Sequence, residues 1–213
     1  MIRNIIWDVD GTLFDTYPAI NGSIRKAVNQ LGADVPLKQI ETLTRISLGH
    51  CISELAVRYQ LEEKAIEGVF EHFYAEVTAA ECPPFPGVMK ICSYLCSLGG
   101  KNIIITHRGK SGTEELLSAF GLGEMFADLI TRDDGYARKP DPAAFFAAVE
   151  RNNLKKEETI NIGDREIDIQ AGQAAGIFSV LYAGSPVNVK PDLIVEYYED
   201  LYRFIQEQNK KEY

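Results

Sequence analysis

Asp8 and Asp10 stand in the run Asp8-Val9-Asp10-Gly11-Thr12-Leu13-Phe14-Asp15, directly after an apolar stretch at residues 2–7. If that stretch is a buried strand, both carboxylates emerge at its carboxyl end, the side on which open α/β sheets bind ligands. Acids so placed can supply a nucleophile, a proton-transfer group and oxygen ligands for a hard cation. An Asp-Gly pair alone is an ordinary turn former, so the chemistry depends on what else reaches the same rim.

Three further segments are candidates for that rim. Ile103-Ile104-Ile105-Thr106 reads as a strand ending in a hydroxyl, and Ser111-Gly112-Thr113-Glu114 as a capping box that starts the following helix. His107 and Arg108, next to Thr106, either guard the entrance for an anion or are a plain loop residue and a surface charge. Lys139-Pro140-Asp141-Pro142 sets a lysine ahead of two prolines that hold the chain extended, with Asp141 placed to cap a helix whose first turn holds Pro142. Ile160-Asn161-Ile162-Gly163-Asp164 is a second strand ending in a carboxylate, and Asp168 falls on the same side of the ensuing helix turn. Two acidic clusters at the ends of parallel strands repel unless a cation lies between them, and hard oxygen ligands favour Mg²⁺.

These residues need rigid elements to bring them together. Short apolar strands are expected at residues 2–7, 102–105, 128–130, 159–162, 178–181 and 193–195, most of them separated by amphipathic stretches. Buried strands alternating with helices give the α/β class, here a Rossmann-like doubly wound parallel sheet. The gap between the first strand and Asn102 is too long for one crossover, and it holds helical spacing at Tyr17, Ile20, Ile24, Val28 and Leu31 and again at Ile66, Val69 or Phe70, Phe73 and Val77. We therefore expect a core formed by residues 1–14 and 83–213 and an inserted helical cap at 15–82, joined through the proline-rich segment 82–87. The tail from 197 to 213 reads as a final amphipathic helix with Leu201 and Ile205 inward.

The 213 residues, 46% hydrophobic and 25% charged, leave no case for disorder or a disulfide scaffold. A net charge of −9 argues against binding along a nucleic-acid backbone and requires a local positive device if the ligand is an anion. No apolar run is long enough for a membrane span. Four cysteines without zinc spacing and the absence of a secretory leader make the cytoplasm the expected compartment. The number of subunits is not legible.

Taken in order, DVDGT at 8–12, Thr106, Lys139 in KPDP and GDREID at 163–168 resemble the haloacid dehalogenase superfamily across nearly the whole chain. The helical insert resembles the C1 cap of the subfamily that includes phosphoglycolate phosphatases and β-phosphoglucomutases. The resemblance implies a phosphatase of a small phosphorylated metabolite, with Asp8 as nucleophile and Asp10 as general acid and base. It implies that Thr106 and Lys139 hold the phosphoryl group and that Asp8, Asp10, Asp164 and Asp168 gather around Mg²⁺, Asp168 as an outer ligand or as a partner of Lys139. The family usually carries Ser or Thr after the fourth-motif aspartate, where this chain has Arg165. Arg45 and His50 in a cap loop at 44–50, where related phosphatases have an arginine and a glycine in a similar segment, are expected to contact the substrate, as is His107 beside Thr106. An aspartate at position 10 favours phosphate over halide chemistry. A phosphomutase of the β-phosphoglucomutase type and a non-catalytic binding module on the same scaffold are the alternatives.

Overall fold

In the computed structural model of the chain, which describes residues 1–183 and 187–210, strand β1 (Asn4–Trp7) leads into helices α1 (Tyr17–Gln30), α2 (Leu37–Thr44), α3 (Leu48–Tyr59) and α4 (Glu63–Tyr74). Helix α5 (Val88–Ser97), strand β2 (Asn102–Ile105), helix α6 (Lys110–Ala119), strand β3 (Phe126–Ile130) and helix α7 (Ala143–Asn152) follow. Strand β4 (Thr159–Gly163), helix α8 (Glu166–Ala174), strands β5 (Phe178–Tyr182) and β6 (Leu193–Val195) and helix α9 (Tyr198–Lys210) complete the order. The expected tail helix extends to Lys210, with Leu201 and Ile205 fully buried; residues 211–213 lie outside the described residues.

The strands form one sheet in the order β3-β2-β1-β4-β5-β6, every neighbouring pair parallel. This is the doubly wound α/β fold that the alternating pattern predicts. Both faces must be covered, and they are: all four residues of β1, all four of β2 and all five of β4 are buried. Ile6, Ile103, Ile105 and Ile130 pack on one face with Ala144, Phe145 and Ala148 of α7 and Ala171 of α8. β3 begins two residues earlier than expected, where a register irregularity at Asn102/Ile103 lets Phe126 join the ladder.

Contacts divide the chain into two compact units, one formed by Met1–Phe14 with Pro84–Tyr213 and the other by Asp15–Pro83. The second is built from α1 to α4. Ile24, Val28, Ile40, Leu55 and Ile66 are its fully buried centre, with Ile20, Leu31, Val69 and Phe73 packed around them. The apolar stripes of α1 and α4 thus face one another, as their spacing requires. Val77 lies beyond the end of α4.

Two helix starts differ from expectation. α6 begins at Lys110, whose N–H donates to Asp133 Oδ2 at 2.7 Å, so the cap comes from across the loop and Ser111 sits inside the first turn. α7 begins at Ala143, one residue past Pro142, and Asp141 Oδ1 accepts the Ala143 N–H at 2.9 Å. Just before it the chain turns, with the Asp141 N–H donating to the Arg138 carbonyl, where an extended mount was expected.

Candidate active site

β1 lies between β2 and β4, and the sheet order runs down on one side of it and up on the other. Such a switch point leaves a crevice at the carboxyl ends of the two central strands. Asp8 leaves β1 there, its N–H donating to the Ile162 carbonyl of β4 at 3.0 Å, and Asp164 leaves β4 one residue beyond Gly163. Thr106 leaves β2 with its N–H on the Ile130 carbonyl of β3 at 2.9 Å. Gly163 is needed as glycine: a Cβ there would stand 2.3 Å from the Asp168 Cβ, so only a bare backbone lets Asp168 reach the rim.

Lys139 enters this crevice with almost no solvent contact. Its Nζ lies 2.6 Å from Asp8 Oδ1 and 2.5 Å from Asp168 Oδ1, and donates to the Ile105 carbonyl at 3.1 Å. Burial alone would discharge the ammonium, but the Asp168 and Asp8 carboxylates outweigh it and hold Lys139 above the ordinary lysine range. Burial likewise pushes Asp8 up, to about 6, with Lys139 opposing it. Asp168 is buried as deeply, yet Lys139 and Arg165 hold it below the usual carboxylate range. Its Oδ2 also accepts the Arg165 N–H at 3.1 Å, which caps the start of α8.

Asp8, Asp164 and Asp168 each bring a carboxylate oxygen within 4.8 Å of the others, and all three are buried. Lys139 and the Arg165 guanidinium, whose Nε is 3.8 Å from Asp164 Oδ1, are the cations beside them. Asp8 Oδ2 is buried with no hydrogen-bond partner among the described residues, a costly arrangement unless a further positive group meets it. Hard, crowded oxygens, the unsatisfied Asp8 Oδ2 among them, fit a small divalent cation. Asp10, expected among the ligands, is not a member of that group; its Oδ1 accepts from Arg108 Nε and Nη2 at 3.1 and 2.7 Å.

Thr106 Oγ1 is buried at the same rim and accepts the Arg108 N–H at 3.1 Å. His107 serves the lysine: its Nε2 accepts the Lys139 N–H at 2.9 Å. Burial, then the charges of Lys139, Arg138 and Arg165, pushes the imidazole down to about 3, the neutral state that an accepting nitrogen requires. Arg45 and His50 belong to the other unit. Arg45 is the residue that caps the C-terminus of α2, with its guanidinium 4.8 Å from the Tyr17 ring centre. His50 is in the first turn of α3, so the expected loop at 44–50 shrinks to three residues between two helices.

Sequence reasoning did not single out Tyr198. Its hydroxyl donates to the Thr12 carbonyl at 2.6 Å and its ring stacks on Tyr182, with 4.3 Å between centroids, so α9 props the loop that carries Asp8 and Asp10. The signal available was only an aromatic residue at the start of the final helix. Arg108 was visible, but nothing in the sequence tied it to Asp10.

A family model described as haloacid dehalogenase-like hydrolase matches residues 5–182. A phosphoglycolate phosphatase of Photobacterium profundum is 29% identical over 94% of this chain and 94% of its own length. One from Yersinia pseudotuberculosis is 26% identical, over 94% and 91%. Among solved structures, a predicted phosphoglycolate phosphatase from Haemophilus somnus superposes with a TM-score of 0.83 at 22% identity, covering 95% of this chain and 97% of that one. CbbY from Rhodobacter sphaeroides, solved in complex with phosphate, has a TM-score of 0.75 at 20% identity, covering 94% and 96%. At those identities the two structures speak for the fold.

Proposed function

The chain belongs to the haloacid dehalogenase-like hydrolases and is a phosphoric monoester hydrolase, and from that premise we propose a Mg²⁺-dependent phosphatase of a small phosphorylated metabolite, working through a phosphoaspartate on Asp8. The observation that carries the reading is the buried group Asp8, Asp164 and Asp168 with Lys139 between two of its members. The whole-length similarity to phosphoglycolate phosphatases makes phosphoglycolate-like esters the first substrates to try. Buried thiols at Cys51 and Cys92 suit a reducing cytoplasm, and no helix among the described residues is long and apolar enough to cross a membrane.

Asp8 and Asp164 would hold the cation, while Asp168 keeps Lys139 in place. Bound there, Mg²⁺ supplies charge neutralisation for the phosphoryl oxygens. Lys139 and the Thr106 hydroxyl share that task from the other strand ends. The Asp8 carboxylate attacks phosphorus in line, and Asp10 gives a proton to the departing alkoxide. Asp10 then takes a proton from the water that attacks the aspartyl phosphate, which splits hydrolysis into two displacements. Arg45 and His50 are proposed to recognise the leaving group.

Purified protein given an aryl phosphate should release phosphate with Mg²⁺, stop on addition of EDTA, and be inactive as Asp8→Asn. Hydrolysis that survives both EDTA and Asp8→Asn defeats the reading. The phosphomutase alternative has no observation of its own here; a sugar monophosphate converted to its isomer without free phosphate would restore it.

A further inference from the structure

The Asp10 carboxylate is held by one side chain. Arg108 Nε and Nη2 both donate to Oδ1, at 3.1 and 2.7 Å, and among the described residues Oδ2 accepts no hydrogen bond. This is more than a surface ion pair: the two side chains are 14% and 25% exposed and lie 98 positions apart in sequence. The Arg108 backbone is held at both its N–H and its carbonyl. The Arg108 N–H donates to Thr106 Oγ1, its carbonyl accepts the Arg132 N–H at 3.3 Å, and its Nη1 lies 3.4 Å from where a Cβ on Gly112 would be.

We propose that Arg108 is a positioning residue for proton transfer: by occupying Asp10 Oδ1 with both donors, it turns Oδ2 toward the reacting ester as the oxygen that carries the proton. The proposal rests on the phosphatase reading. In the first displacement the bond from Asp8 to phosphorus forms as the ester P–O bond breaks, and the electron pair departs on the leaving oxygen. The proton on Asp10 Oδ2 moves to that oxygen, giving the alcohol. A proton on Oδ2 leaves the Arg108 hydrogen bonds intact, because Oδ1 keeps its lone pairs as a carbonyl oxygen. In the second displacement Oδ2 recovers a proton from water.

The leaving group provides a readout that a merely structural role would not move. A phenolate departs readily without a proton, whereas an alkoxide needs one, and kcat/KM reports the steps up to that departure. Arg108→Ala should lower kcat/KM for an alkyl phosphate on the order of 10²-fold, the scale of a misplaced general acid, and for an aryl phosphate by less than about tenfold. Arg108→Lys should recover part of the alkyl loss, and melting curves on both variants check the fold. Asp10→Asn should show the same dependence on leaving group, with Arg108→Ala adding little to it because the two act as one unit. An equal loss on both esters, or losses that multiply in the double variant, overturns the role of Arg108 while leaving the phosphatase intact. A wild-type protein that cleaves neither ester removes the phosphatase reading and the role of Arg108 with it.

Discussion

Lys139 Nζ lies 2.6 Å from Asp8 Oδ1, and both side chains are all but sealed from solvent. A pair so buried costs desolvation on each side, and breaking it from one side leaves the other charge uncompensated. Lys139→Met should therefore cost stability, about 3–5 kcal/mol by urea unfolding, besides abolishing turnover. Added Mg²⁺ should raise the melting temperature of this variant more than that of the wild type, because two of the three clustered carboxylates, Asp8 and Asp168, then lack their lysine. A variant as stable as the parent, with the same response to Mg²⁺, would show that the pair is not the centre of the site.

Binding of Mg²⁺ to the folded chain alone stabilises it by mass action. The wild-type melting temperature should rise with Mg²⁺ concentration, and Asp164→Asn should remove most of that rise, since Asp164 is one of the three clustered carboxylates. Asp10→Asn should keep it, because that carboxylate is turned to Arg108. The reverse pattern in differential scanning fluorimetry would move the metal to Asp10.

Tyr198 closes the Asp8 loop from behind. Tyr198→Phe strands the Thr12 carbonyl in a dry site, which should cost about 1–3 kcal/mol. The loosened loop should lower kcat while leaving KM nearly unchanged. A kcat equal to wild type would limit Tyr198 to packing against Tyr182.

His107 predicts the direction of one pH effect. Its folded value, about 3, lies below the unfolded 6.5, so only the unfolded chain takes up this proton between them. The contribution is fully present above 6.5 and is lost as pH falls toward 3. In His107→Gln, which cannot be protonated, that loss is absent. The stability advantage of wild type over the variant should shrink from pH 7.5 to pH 4.5 in matched denaturant titrations; an advantage that grows on acidification contradicts a neutral, accepting imidazole.

The sheet was legible because its strands are short apolar runs buried on both faces, and Asp8, Thr106 and Asp164 were legible because each directly follows one of them. Lys139 came through the rigid Lys-Pro-Asp-Pro segment, although that segment turns where it was read as extended. The hydrogen bond between Arg108 and Asp10 was not legible: it exists only because β1 and β2 are neighbours, and a loop arginine is solvated by default. Tyr198 meets Thr12 across 186 positions, beyond any periodic signal. The α6 cap failed for a related reason, since Asp133 reaches Lys110 from another loop and displaces the local Ser111.

The proposed mechanism stands or falls on a covalent phosphoryl group on Asp8. Acid quenching of a single turnover with labelled phosphate ester, followed by peptide mapping, should place the label on the peptide containing residue 8, with none on the Asp8→Asn protein. Rapid Mg²⁺-dependent phosphate release with the label never on protein, or with the label on another residue, contradicts the account.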